Sequence, residues 1–72
     1  MENLVEKLKL EHEDLCKKID SLEELFQSDV FKDIKTYHKN LLTMQHIAMC
    51  AYCNCLAQRI LDLNGDNKHA KS

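Results

Sequence analysis

The chain has 72 residues, 44% of them hydrophobic, and ten Lys and Arg against twelve Asp and Glu give a formal net charge of −2. One small domain is all that this length allows, and its core is marginal unless a disulfide, a metal or association of copies supports it. The charge excludes the dense basic face that duplex DNA or RNA requires, although a few cations suffice for a small anionic ligand.

The first predicted element is a helix over about residues 3–26. Asn3 followed by Glu6 is typical of a helix N-cap with a reciprocal carboxylate. Seven residues then recur at alternating intervals of three and four, which predicts a packed seam in which His12 is the one polar member. They are Val5, Leu8, His12, Leu15, Ile19, Leu22 and Phe26.

A short polar break over residues 27–29 separates this helix from the next. Three residues suit an antiparallel connection between helices, and Ser28 or Asp29 is a suitable cap. We therefore predict a second, continuous helix over about residues 30–63, which contains neither Gly nor Pro.

Asn64-Gly65 predicts a left-handed cap at the end of this helix, and the polar residues 64–72 are expected to fray. The predicted fold class is all-α: an antiparallel helical hairpin that forms a single domain over residues 1–72.

The second helix carries two apolar stripes, more than one partner helix can cover. The first is Ile34, His38, Leu41, Gln45, Ala48, Tyr52 and Cys55, and the second is Leu42, His46, Met49, Cys53, Leu56, Ile60 and Leu63. We expect the second stripe, including Met49, Leu56 and Ile60, to be left over and buried against copies of the chain. The sequence thus predicts a compact homo-oligomer.

Three of the four cysteines, Cys50, Cys53 and Cys55, crowd one helical segment. Disulfide scaffolds distribute cysteines over loops, and this chain has hardly any loop, so reduced thiols are expected. No apolar run approaches the length of a membrane span and no secretory leader is evident, so we expect a cytoplasmic protein without a membrane partner.

The histidines and cysteines leave two interpretations open. His12 and Cys16 on the first helix, and His46 and Cys50 on the second, are each spaced i, i+4 and together would satisfy tetrahedral zinc. A turn near Ser28 would bring residues 12–16 level with about residues 42–46. The interpretation favoured by the residues is packing, with no metal and no cofactor, because free cysteine packs as a small hydrophobe.

Gln45, Tyr52 and Arg59 follow one another at intervals of seven on one face of the second helix. In the structural interpretation, they fix the register of helix packing and Tyr52 is a core aromatic. In the functional alternative, they line a pocket: Tyr52 stacks on a base, Gln45 donates and accepts hydrogen bonds, and Arg59 binds phosphate. Lys7 or Lys9, contributed by a neighbouring subunit, is then a further phosphate partner.

No combination of residues indicates an enzyme. Ser21 and Ser28 lack a glycine-rich setting, and the single glycine, Gly65, excludes a phosphate loop. The carboxylates fit solvated helix faces. The remaining alternatives to a ligand-binding protein are a helical adaptor that binds another protein and a small zinc-binding hairpin.

The order of residues in both helices carries a resemblance over about residues 7–61. The residues that carry it are Glu11, Leu15, Lys18, Ile19, Leu22, Phe26, Phe31, Leu41, Leu42, Gln45, Met49, Tyr52, Leu56, Arg59 and Ile60. Their order resembles the helical-hairpin family of phage anti-CBASS nucleotide sponges, whose pattern is similar to E-x3-L-x2-K-[LI]-x2-L-x3-[FI]-x4-F followed by L-L-x2-Q-x3-M-x2-Y-x3-L-x2-R-[IL].

This resemblance implies a hexamer of interlocked hairpins that acts in the infected bacterial cell. Such a hexamer binds cyclic di- or trinucleotide signals at sites between subunits and sequesters them without cleavage. Members of the family often have an additional N-terminal segment with a short helix, whereas here the first predicted helix begins almost at Met1. The cysteine cluster is not part of the pattern.

Overall fold

The computed structural model describes residues 2–66. Two long helices, α1 (Glu2–Phe26) and α3 (Thr36–Leu61), lie against each other, and the short helix α2 (Asp29–Lys32) connects them. The described residues contain no strand, so the predicted all-α hairpin is confirmed.

The seam of α1 forms the inner face of the hairpin, as its spacing predicts. Leu8, Leu15 and Leu22, seven residues apart, are buried. Leu56 of α3 is fully buried at 0% exposure and packs between the two helices with Leu8 and Leu15. Burial of a leucine side chain stabilises the fold by about 1.5–3 kcal/mol, so these four positions hold the hairpin closed.

The sequence predicted a continuous second helix over residues 30–63, and the structure shows that this helix is interrupted. It ends at Lys32 and resumes as α3 at Thr36, and between them Lys35 has extended backbone with φ −60° and ψ 146°. Phe31 of α2 packs against Phe26 of α1, with ring centroids 5.3 Å apart and an angle of 72° between the rings, and the Lys39 ammonium of α3 lies 5.0 Å from the centroid of the Phe31 ring. An edge-to-face aromatic pair contributes about 0.5–1.5 kcal/mol beyond burial, so these contacts hold the short helix against both long helices.

Ser28 directly precedes α2, but its side chain does not cap that helix. The Ser28 hydroxyl instead donates to the carbonyl oxygen of Leu25, 2.8 Å away in the last turn of α1. The Ser28 backbone N–H donates to the same oxygen at 3.0 Å, so both donors of Ser28 bind the last turn of α1. Ser28 therefore stabilises the end of α1 and immediately precedes α2.

The structure reverses the roles expected for the two apolar stripes. Met49, Cys53 and Ile60, which belong to the second stripe, pack against the core around Leu56. The first stripe flanks that contact, and Leu41 and Tyr52 are exposed. The prediction that Met49, Leu56 and Ile60 do not pack against the first helix was wrong. Either stripe is apolar enough to pack there, and the register of the two helices determines which one does.

A π-helical turn over Asp62–Asp66 follows α3. Gly65 has φ 94°, so the left-handed residue that the sequence predicted at the end of the helix is confirmed. The rest of the predicted tail, from residue 67, lies outside the described residues. Among residues 2–66, no helix is long and apolar enough to cross a membrane.

Candidate functional site

A groove of about 390 Å³ runs along the edge where α1 meets α3. Its lining residues are Lys7, Leu10, Glu11, Asp14, Leu15, Lys18 and Tyr52. All but Tyr52 come from α1, where spacings of four, three and four place Lys7, Glu11, Asp14 and Lys18 along one side of the helix. The groove therefore combines an aromatic ring with two ammonium groups and two carboxylates.

Tyr52 closes the groove from the α3 side. Its hydroxyl donates a hydrogen bond to the carboxylate of Glu11, and its side chain remains 46% exposed. This bond raises the pKa of Tyr52 above its ordinary value of 10.0, because the carboxylate stabilises the neutral phenol. Partial desolvation and the negative charge of Glu11 raise the pKa further, whereas the positive charge of Arg59 lowers it. The phenol is neutral at physiological pH, with one edge fixed by Glu11.

Arg59 and Gln45 continue the line of Tyr52 along α3 but lie outside the groove lining. Both side chains are exposed. The Arg59 charge acts on Tyr52, while the Gln45 amide approaches the Met49 sulfur at 3.7 Å. Two turns of helix, about 10 Å, separate Tyr52 from either residue. The three residues form an exposed row beside the groove rather than a closed pocket.

The two lysines named from the sequence have different positions. Lys7 lines the groove together with Tyr52, whereas Lys9, two residues later and about 200° around α1, does not. Lys18 and Glu11 also line the groove, although the sequence analysis did not name them as site residues. Both occur in the family pattern, and the spacing Lys7-x3-Glu11-x2-Asp14-x3-Lys18 was the signal that could have placed them on the face of Lys7.

The sulfur and imidazole groups form a second arrangement, which differs from the predicted zinc set. His12 and Cys16 meet Cys53, with 3.3 Å from the His12 Nε2 to the Cys53 Sγ and 3.8 Å between the two sulfurs. His46 instead binds Glu23 through Nε2 at 2.8 Å, and Cys50 lies 3.8 Å from that nitrogen.

The alternative zinc set of His12, Cys16, His46 and Cys50 does not come together, because the hairpin turns further along the chain than Ser28. Residue 12 therefore lies level with residue 53 rather than 46, a shift of about two helical turns. Partial burial raises the pKa of the Cys53 thiol, and the adjacent sulfur of Cys16 raises it further.

A comparison with protein families matches the chain to Sequestin over residues 2–62, a span that includes both long helices and every lining residue of the groove. No match was found among curated proteins or among solved structures.

Proposed function

The chain belongs to the Sequestin family of anti-CBASS cyclic-nucleotide sponges, and from that premise we propose that it binds and sequesters cyclic di- or trinucleotides without cleaving them. Family membership supports a nucleotide-sequestering role against bacterial defence. We further propose that the chain is of phage origin and acts in the cytoplasm of the infected host. A sponge needs affinity and a sufficient number of sites, and no reactive group is required.

The single observation that carries this proposal is the family match over residues 2–62. The geometry of the groove supports it. Tyr52 offers an exposed aromatic face, and base stacking on such a ring contributes about 1–3 kcal/mol per base. Lys7 and Lys18 place ammonium groups in the same groove, where they are available to a phosphate oxygen.

The charges of the groove favour a site that is shared between copies of the chain. Within one chain, Glu11 and Asp14 balance Lys7 and Lys18, so this groove has no net positive charge for an anionic ligand. A cyclic oligonucleotide repeats its phosphates with near symmetry, and a symmetric oligomer repeats each cationic group in the same way. We therefore assign the ligand to subunit interfaces of a homo-oligomer, with a hexamer as the proposed assembly.

In this site, Tyr52 stacks on a base, Arg59 binds phosphate, and Gln45 forms hydrogen bonds. Lys7 is a second phosphate partner from a neighbouring subunit, and Lys18 is added by its position in the groove. Lys9 remains a candidate only where a neighbouring copy approaches the opposite side of α1.

Calorimetric titration of the intact protein with cyclic di- and trinucleotides tests this assignment. A charge-assisted phosphate contact contributes about 1.5–3 kcal/mol, so Arg59→Ala should weaken binding by about tenfold or more. Tyr52→Phe should weaken binding only mildly, because the ring remains although its hydrogen bond to Glu11 is lost, whereas Tyr52→Ala should weaken binding strongly. Lys32→Ala is the matched control, because this lysine side chain is 79% exposed on α2 and does not line the groove.

The oligomer size and melting temperature of every variant must equal those of the wild type for the comparison to hold. Unchanged affinity in an intact Arg59→Ala oligomer would show that Arg59 is not a ligand residue. If no cyclic di- or trinucleotide binds at micromolar concentration, the sponge function itself is wrong for this chain. The helical adaptor then replaces it.

A further inference from the structure

None of the residues of the sulfur and imidazole cluster lines the nucleotide groove, although each is next in sequence to a residue that does, and the proposed function does not use them. Cys53 Sγ lies 3.8 Å from Cys16 Sγ and 3.3 Å from His12 Nε2, and Cys16 Sγ lies 3.9 Å from His12 Nδ1. One donor atom from each of the three residues falls within 4.8 Å of the others. We propose that His12, Cys16 and Cys53 bind a zinc ion that joins α1 to α3.

The distances agree with the edges of a zinc coordination tetrahedron. With Zn–S bonds of about 2.3 Å and a Zn–N bond of about 2.0–2.1 Å, two bound sulfurs lie about 3.8 Å apart, and a sulfur and a nitrogen about 3.6 Å apart. The observed S···S separation is 3.8 Å and the Cys53 S···N separation is 3.3 Å. Cys16 faces the Nδ1 of His12 and Cys53 faces its Nε2, so the imidazole must turn until one nitrogen faces both sulfurs.

The chemistry of the donors selects the metal. Two thiolates and one imidazole are ligands for zinc, whereas magnesium and calcium require oxygen donors, and the cluster contains no carboxylate. Binding displaces one proton from each thiol, and the cation balances the two adjacent negative charges. The three residues leave the fourth position of a tetrahedral site open, because the nearby Cys50 sulfur lies against the Nε2 of His46 instead.

The position of the cluster gives the metal a structural role. All three residues are half-buried, so a cation can reach them, and Cys53 packs directly against the leucine core. The ligands connect residues 37 and 41 positions apart in the sequence. Small domains gain stability from such a link, and a bound zinc ion would fix the register of α1 against α3.

Zinc titration of metal-depleted protein under reducing conditions, in competition with a chromogenic chelator, tests the proposal. The expected result is one zinc per chain. Loss of an outer-shell partner already costs about 10–100-fold in metal affinity, so loss of a ligand in Cys16→Ser or Cys53→Ser should cost at least as much. Cys50→Ser and Cys55→Ser are matched controls on the helix of Cys53, outside the cluster, and their affinity should be unchanged.

Cobalt substitution adds a readout that does not depend on stability. Tetrahedral cobalt bound to thiolate gives intense visible absorption, which should appear in the wild type and in both control variants and decrease in Cys16→Ser. Circular dichroism establishes that each variant is helical before titration. No zinc binding at micromolar concentration, equal losses in all four cysteine variants, or one zinc per two chains would each overturn a site formed by His12, Cys16 and Cys53.

Discussion

Tyr52 has two roles that depend on different parts of its side chain. The hydroxyl binds Glu11 and so links α3 to α1, while the ring borders the groove and remains partly exposed. A ring whose edge is fixed before a ligand arrives loses less conformational freedom on binding than a mobile one. Glu11 is therefore a positioning residue for Tyr52 in the proposed site.

The titration of Tyr52 provides a direct measurement of this contact. Glu11→Gln should lower the pKa of Tyr52 toward 10.0, because the hydrogen bond to a carboxylate and the negative charge of that carboxylate both raise the pKa. Tyrosinate absorbance measures the change, in a Tyr37→Phe background because the chain has only two tyrosines. The contact stabilises the fold below pH 10, and its contribution is lost as pH rises through the raised pKa of the folded state.

Asp14→Asn is the control for this titration, because Asp14 is a second carboxylate of the groove that does not bind the Tyr52 hydroxyl. It should move the pKa of Tyr52 less than Glu11→Gln does. Equal shifts in the two variants would mean that the general negative charge of α1, rather than the hydrogen bond, acts on Tyr52.

At the scale of the helices, Leu56 is the residue on which the pairing of α1 and α3 depends most. It is the fully buried side chain of α3 and it contacts the leucines of α1. Leu56→Ala should lower the free energy of unfolding by about 2–5 kcal/mol, because a cavity remains between the helices. Chemical denaturation at one fixed protein concentration measures the loss.

Leu61→Ala is the matched control for that prediction. Leu61 lies on the same helix and is 47% exposed, so the same substitution should cost much less. Similar losses at the two positions would contradict the assignment of Leu56 to the core of the hairpin.

The sequence predicted the inner face of α1 correctly, because a single seam of apolar residues leaves one way to pack. It could not predict the break over residues 33–35, which contains neither Gly nor Pro. The contacts of Phe31 with Phe26 and with Lys39 accompany that break, and the backbone preferences of residues 33–35 do not encode them. Local propensity is a weak guide wherever a tertiary contact competes with it.

One error in the position of the turn accounts for most of the differences at the site. Because the chain turns near residue 33 instead of Ser28, Cys53 replaces His46 and Cys50 beside His12. The same shift brings Tyr52 to Glu11 and into one groove with Lys7. The sequence therefore predicted the residue types that occur at the site. It did not predict which residues face each other across the hairpin, because that depends on the register of the two helices.

At the scale of the whole molecule, the hairpin is too thin to cover its apolar residues. It measures 49 × 25 × 14 Å, and α3 is apolar on more than the face that α1 covers. We define the outer face of α3 as Tyr37, Met44, Ile47 and Ala51, which point away from the leucine core. Met44 and Ile47 are 64% and 63% exposed. Exposed apolar side chains that share one face of a helix are typical of protein interaction sites.

The last prediction assigns the proposed homo-oligomer to this outer face. Met44→Glu and Ile47→Glu should each dissociate the assembly, because a carboxylate in an apolar contact loses its water without gaining a partner. The hairpin itself should remain helical, since neither residue belongs to its core. Ser21→Glu is the control, because it adds the same charge at an exposed polar position of α1. Light scattering should report several subunits for the wild type and the control, and fewer for the two variants. A monomeric wild type would contradict the assembly, whereas an unchanged oligomer in both variants would place the interface on another face.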